Sequence, residues 1–264
     1  MDGSGITVPA SGVTPIHVLC AVGVGLDPEI LTRAVEEAGA GEFTVEEVQH
    51  EPDPRMREAF DAALGARRAT QDDEFGDGDW AAVDAHDSVA FVLSPPMSQF
   101  SAFEVSRRAL AVTAALLTNG ATAVKNDSSG VACGRERWLA LADRAAAAEN
   151  IDELAIALCE AWVVPAMLDG DAFYTCGMHL LGEADVKLVP GRAVEPELLP
   201  EWLTTMDVAR YYLLTEQPSH GIRDGEGFRI TPDARRWIMH RVECELEEDD
   251  TFHNPYGRWR LTPA

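Results

Sequence analysis

Residues 88–125 read SVAFVLSPPMSQFSAFEVSRRALAVTAALLTNGATAVK, and their order decides the architecture. Ser88–Ser94 is a short apolar run, ended by Pro95-Pro96, which predicts a buried strand. Ser98 can cap a helix over Gln99–Leu117, with Phe103, Leu110, Ala114 and Leu117 among its apolar positions. Asn119-Gly120 closes that helix, and Ala121–Lys125 is a second short strand.

The same rhythm lies upstream. Ile16–Gly23 (IHVLCAVG) is an apolar run closed by glycine, a second buried strand. Asp27–Glu37 predicts a helix with Asp27 as N-cap and Pro28 at its first position. Phe43–Gln49 is another strand, and Pro54–Arg67 a short helix. Strand, helix, strand, insertion, strand, helix, strand is the order of a split βαβ, ferredoxin-like sandwich.

Downstream, Arg135–Ala148 and Ile151–Trp162 predict helices, after a loop at Gly130–Gly134. Phe173–Leu181 and Ala184–Val189, separated by Gly182 and Glu183, predict a hairpin. Pro196–Leu214 is amphipathic, and Gly227–Ile230, Trp237–Leu246 and Arg258–Leu261 return to strands. Within Trp237–Leu246, the parity of Ile238, His240, Val242, Cys244 and Leu246 is mostly apolar and is expected to face the core. The fold expected is α+β, as two ferredoxin-like sandwich halves over residues 15–133 and 134–264. One continuous mixed sheet flanked by helices is the alternative. Residues 1–14 are expected to be loosely ordered.

The chain of 264 residues carries 45 Asp and Glu against 21 Lys and Arg, a formal charge of −24. Such a balance argues against nucleic acid and against anionic membrane surfaces. Its 46% hydrophobic content is ample for a packed core. The charge is uneven. Gln71–Asp87 holds seven acids and no base, and is expected to be a solvated, mobile acidic insertion. Glu243–Asp250 holds six acids in eight residues, expected as a charged strand end that resists edge pairing. The N-terminal residues lack the basic and apolar regions of a signal peptide, and the apolar tracts are too short to span a bilayer. A cytoplasmic protein is expected.

Few residues carry recognisable chemistry. Gly23-Val24-Gly25 sits between strand and helix, but Pro28 stands where a dinucleotide loop needs its third glycine. Asp77-Gly78-Asp79 lacks the rest of a calcium loop. The five cysteines form no CxxC pair, and the seven histidines no i, i+4 pair. Cys176 and His179 are close, but on a strand an odd separation puts them on opposite faces unless Gly177 hosts a bulge. Glu183 and Asp185 share a strand face and are the first carboxylate pair to inspect for acid–base work. No cofactor is expected.

The segment Phe173-Tyr174-Thr175-Cys176-Gly177-Met178-His179-Leu180-Leu181-Gly182-Glu183-Ala184-Asp185-Val186 resembles the aromatic-T-x-G-M-x-x-L-G-x-x-[ED] segment of a bacterial family, the domain of unknown function forty-two sixty-one. The strand ending in a Pro pair (Val89–Pro96) and the closing stretch Asn254–Leu261 (NPYGRWRL) are similar too. Asp185 stands where the family more commonly has Glu. The resemblance implies a bacterial, cytosolic protein and no particular reaction. Some relatives occur among proteins of toxin–immunity systems. The motif residues to inspect are Thr175, Cys176, Gly177, Met178, His179, Gly182, Glu183 and Asp185.

Charge and motifs together favour a non-enzymatic acidic binding protein, of the immunity or inhibitor type, with a basic protein partner. Its expected contacts are Asp72, Asp73, Glu74, Asp77 and Asp79 in the insertion, and Glu247, Glu248, Asp249 and Asp250 near the C-terminus. An enzyme with its site around Cys176–Asp185 is the second reading, and an oligomeric structural or regulatory module the third.

Overall fold

The computed structural model describes residues 12–65, 75–193, 195–216 and 221–264. Its first half contains β1 (Val18–Gly23), α1 (Pro28–Ala38), β2 (Thr44–Gln49), α2 (Met56–Gly65), α3 (Asp77–Asp84), β3 (Ser88–Leu93), α4 (Ala102–Thr118), β4 (Ala121–Asn126) and β5 (Val131–Ala132). The sheet runs β2-β3-β1-β4-β5 with every neighbouring pair antiparallel. Its first four positions have the strand order and directions of a split βαβ unit.

Strand β1 is central because both its faces are covered. Leu19 and Ala21 pack into the main core, whereas Cys20 and Val22 point into a smaller cluster with Phe60, Phe75 and Val83. A strand buried on both sides reads as a continuous apolar run, which is what VLCAVG is. Helices α1 and α4 pack together over one face. Asp27 caps α1, its Oδ1 accepting from Glu29 N at 2.9 Å and Ile30 N at 3.1 Å.

The acidic insertion departs from expectation. Residues 66–74 lie outside the described set, but Asp77–Asp84 is a helix rather than a loop. The acids themselves favour it. Asp77 and Asp79 occupy its first turn, where the helix dipole favours negative charge. Asp79 Oδ2 accepts from Gly76 N at 3.0 Å and Oδ1 from Arg135 N at 3.1 Å.

The second half contains α5 (Arg135–Ala147), α6 (Ile151–Trp162), β6 (Val164–Asp169), β7 (Ala172–Cys176), β8 (Asp185–Leu188), α7 (Leu199–Thr215), β9 (Glu226–Phe228), β10 (Trp237–Val242) and β11 (Arg258–Pro263). Its sheet runs β6-β7-β8-β11-β10-β9. Two antiparallel meanders, β6-β7-β8 and β9-β10-β11, join through the parallel pair β8 and β11. The protein is thus α+β with two sheets, not one continuous sheet, and the second sheet has its own strand order.

Helices α4, α5 and α6 pack on one another, and one core cluster spans both halves. Trp138 and Trp162 lie at its centre, ring centroids 5.2 Å apart. Each indole N–H is satisfied: Trp138 donates to Val124 O at 2.9 Å, and Trp162 to Ser106 O at 3.1 Å. Helix α5, just past residue 134, therefore packs on the first half as well as on α6.

Three local expectations are corrected. Strand β10 ends at Val242, and Glu243–Asp250 is turn and irregular chain rather than strand. The face is also reversed, because Trp237 and Met239 are in the core while Ile238 and His240 are only half-buried. Partner strand β11 sets this face, placing Leu261 opposite Met239 and Trp259 opposite Arg241. Arg241 tolerates the position by stacking on Trp259 at 5.1 Å and donating to Tyr256 O. The third correction concerns the hairpin, described next.

Candidate functional site

Strand β7 stops at Cys176 because Gly177 adopts φ +107°. A Cβ there would lie 2.3 Å from Trp162 O, so the position admits no side chain. Met178–Leu181 then forms a 3-10 turn instead of continuing the strand, and Gly182 (φ +76°) leads into β8. A Cβ on Gly182 would meet Gln99 Cα at 2.9 Å, and Gln99 Nε2 donates to Gly182 O at 3.0 Å. The two glycines thus press the turn against α6 and the start of α4.

The polar motif residues turn inward. Asp185 is 1% exposed. Its Oδ1 accepts from Thr175 Oγ1 at 3.0 Å and Met178 N at 3.3 Å, and its Oδ2 from Asn254 Nδ2 at 2.8 Å. Thr175 Oγ1 accepts in turn from Val186 N at 2.9 Å. Asn254 also donates to Glu183 O at 3.1 Å, and its Oδ1 accepts from Tyr256 N at 2.8 Å. Burial pushes the Asp185 carboxyl up to about 6, against the opposing pull of the Asn254 and Thr175 bonds and the Arg258 charge. The Cys176 thiol is raised well above its ordinary value by burial and then by Asp185, which makes it a poor nucleophile. Glu183 is buried, its Oε1 accepting from Ala184 N at 3.0 Å. Cys176 and His179 lie on different elements, strand and 3-10 turn. No group of three His, Cys, Asp or Glu among the described residues is placed to hold a metal ion.

A second buried network, invisible in any local motif, ties the two halves together. His17 Nδ1 accepts from Asn126 Nδ2 at 2.8 Å, and His17 Nε2 meets Ser106 Oγ at 2.8 Å. Ser106 Oγ donates to Leu180 O at 2.5 Å, so the Nε2 proton points at Ser106 and the ring is neutral. Burial, then the nearby His179, pushes His17 down to about 3. The imidazole also stands edge-on to Trp162 at 4.7 Å.

Next to it, at the junction of the halves, is a cleft of about 290 Å³. The chain entering β1, the turn after β4, the 3-10 turn and the loop before β11 all contribute. Pro15, Ile16 and Pro255 form apolar wall, and Asp127, Ser128, His179, Asp250 and His253 supply polar groups. His179 is 4% exposed, and its Nδ1 has no hydrogen-bond partner. The Ser128 backbone interacts with the ring. Burial pushes His179 down to about 4, the Ser128 bond opposing it and His253 adding to it. Asp127 pairs with Lys125.

The acidic contact candidates fall into three groups. Asp72, Asp73 and Glu74 lie outside the described residues. Asp77 is exposed, but Asp79 is half-buried and bonded to backbone, so it is a capping residue rather than a free contact. Glu247, Glu248, Asp249 and Asp250 are all exposed, and Asp250 alone also lines the cleft. Among the described residues no ion pair involves these four.

Sequence reasoning missed His17, Ser106, Asn126 and Asn254. Only Asn254 had a signal, the Asn-Pro turn opening NPYGRWRL.

Comparison with family models, with curated proteins and with solved structures finds no match. Among the described residues no helix is long and apolar enough to cross a membrane.

Proposed function

We propose that this chain is a non-enzymatic acidic binding protein of the immunity or inhibitor type, acting in the cytoplasm on a protein with a basic surface. The same reading takes it as a member of the family that its Thr175–Asp185 segment resembles. The observation that carries the proposal is the contrast in carboxylate use. The hairpin acids Glu183 and Asp185 are buried and engaged in hydrogen bonds, whereas Glu247–Asp250 are exposed and outside every described ion pair. Exposed like charges on a chain of net charge −24 steer a basic partner and speed its association. The second reading, an enzyme at the hairpin, has less support. Its thiol is raised and buried, and its carboxylates face protein rather than solvent.

The test is affinity capture from native lysate at low and high salt, comparing the natural chain with Glu247→Gln/Glu248→Gln/Asp249→Asn. The expected result is a partner with a basic surface, held at low salt and weakened by the triple substitution. Recovery of no protein at either ionic strength, or equal capture by both chains, overturns the proposal.

A further inference from the structure

We infer that the junction cleft receives one basic side chain, a guanidinium or ammonium group, of the protein partner. The inference rests on the binding reading above and names the point where the partner is anchored.

Three features of the cleft specify that occupant. Size is the first. A volume of about 290 Å³ lies at the lower limit of ligand sites, which run from about 300 to 1,000 Å³, so it suits one side chain better than a cofactor. Chemistry is the second. Among the described residues lining the cleft the carboxylates are Asp127, which also pairs with Lys125, and Asp250, and there is no Lys or Arg. His179 adds a ring nitrogen, Nδ1, buried and without a partner. A buried polar atom left unsatisfied costs free energy that a ligand able to pair with it recovers. The carboxylates call for a ligand that brings positive charge and several N–H donors, one of which an unprotonated imidazole nitrogen can accept. The wall is the third feature. Pro15, Ile16 and Pro255 offer apolar surface for the methylene stem of Arg or Lys behind its charged head.

Position supports the same occupant. Asp250 ends the exposed run Glu247–Asp250 and also lines the cleft. A basic surface drawn to the run is therefore delivered to the opening. The loop is held for this purpose, because Asp250 Oδ1 accepts from Phe252 N at 2.8 Å and His253 Nδ1 meets Leu246 O at 2.9 Å.

The probe is arginine blocked at both ends, as its N-acetyl amide, with the matching citrulline compound as the uncharged isostere. Titration is followed by the ring resonances of His179 and His253. The expected result is saturable binding on the order of millimolar for the arginine probe, with citrulline about tenfold weaker. Asp250→Asn weakens the arginine probe by about tenfold as well. Glu247→Gln/Glu248→Gln/Asp249→Asn weakens the arginine probe by less than Asp250→Asn does, because those carboxylates lie outside the cleft and act on it only through space. Equal response to arginine and citrulline, no saturation, or indifference to Asp250→Asn overturns the inference. The two ideas fail separately. Partner capture that survives Asp250→Asn sinks the cleft and leaves the binding reading standing. Arginine binding without any captured partner does the reverse.

Discussion

The hairpin Ala172–Leu188 and the turn Glu247–Asp250 hold the same functional group in opposite states. In the hairpin, Asp185 accepts three hydrogen bonds from Thr175, Met178 and Asn254 and is closed off from water. In the turn, neighbouring carboxylates stand in solvent. The hairpin carries the distinctive sequence, yet its polar atoms are consumed in holding its own shape. The turn carries no motif beyond its run of acids, yet its charge stands open to solvent. Distinctive residues in a motif thus mark where the fold is demanding, and availability has to be read from exposure.

The most direct way to break this contrast is to remove the buried carboxylate. Asp185→Ala leaves the Thr175 hydroxyl, the Met178 amide and the Asn254 amide without their acceptor. At about 1–3 kcal/mol for each stranded buried group, with some relief by rearrangement, a loss of about 4 kcal/mol is expected in urea unfolding. A loss below about 1 kcal/mol shows that the network is not holding the turn.

Gly177→Ala probes the same hairpin through the backbone. It adds a Cβ 2.3 Å from Trp162 O at φ +107°. A rarely tolerated dihedral plus a clash with backbone predicts about 3 kcal/mol of destabilisation, read as a fall in the thermal midpoint. Gly65→Ala, with nothing near its Cβ, is the matched control.

These substitutions also show what the sequence could reveal. The first sheet was legible because its strands are apolar runs bounded by Gly or Pro, as at Gly23 and Pro95-Pro96. Strand β6 was not, because it follows α6 after the single residue Val163 and holds Pro165, a residue that argues against a strand, at its second position. Helix α3 was hidden by acids that cap it rather than solvate it. The core face of β10 was misread because Trp259 and Leu261, some twenty residues on, decide it. The His17 network joins residues 89 and 109 positions apart, and no local pattern encodes that.

Acid sharpens the comparison, because the buried groups titrate against one another. His17 and His179 are held near 3 and 4, far below 6.5 in the unfolded chain. Their depressed values favour the fold above pH 6.5, and that stability is lost as pH falls toward 4 and then 3. Asp185 acts in the other direction. Its carboxyl, raised from 3.8 to about 6, penalises the fold above pH 6, and the penalty lifts as pH falls toward 3.8. Two histidine shifts outweigh one aspartate shift, so stability should fall by about 2 kcal/mol between pH 7 and pH 5. Denaturant midpoints at the two pH values measure it, and a rise in stability at pH 5 reverses the assignment of neutral imidazoles. Asp185→Asn removes the compensating group, so its loss over the same interval should be steeper than that of the natural chain.

The smallest effect on stability is expected where the proposed binding consequence is largest. Glu247, Glu248 and Asp249 are exposed and outside every described ion pair, so no native contact is lost on neutralising them. Glu247→Gln/Glu248→Gln/Asp249→Asn should change unfolding free energy by no more than about 0.5 kcal/mol, and any change should favour the fold. The sign follows from repulsion, since adjacent like charges on a chain of −24 oppose compaction. Salt separates this from a structural role. Added salt should lift the stability of the natural chain toward that of the triple variant, because screening removes the same repulsion. A clear destabilisation by the triple substitution, insensitive to salt, means that these carboxylates accept hydrogen bonds from the fold, which would erase the distinction between the turn and the hairpin.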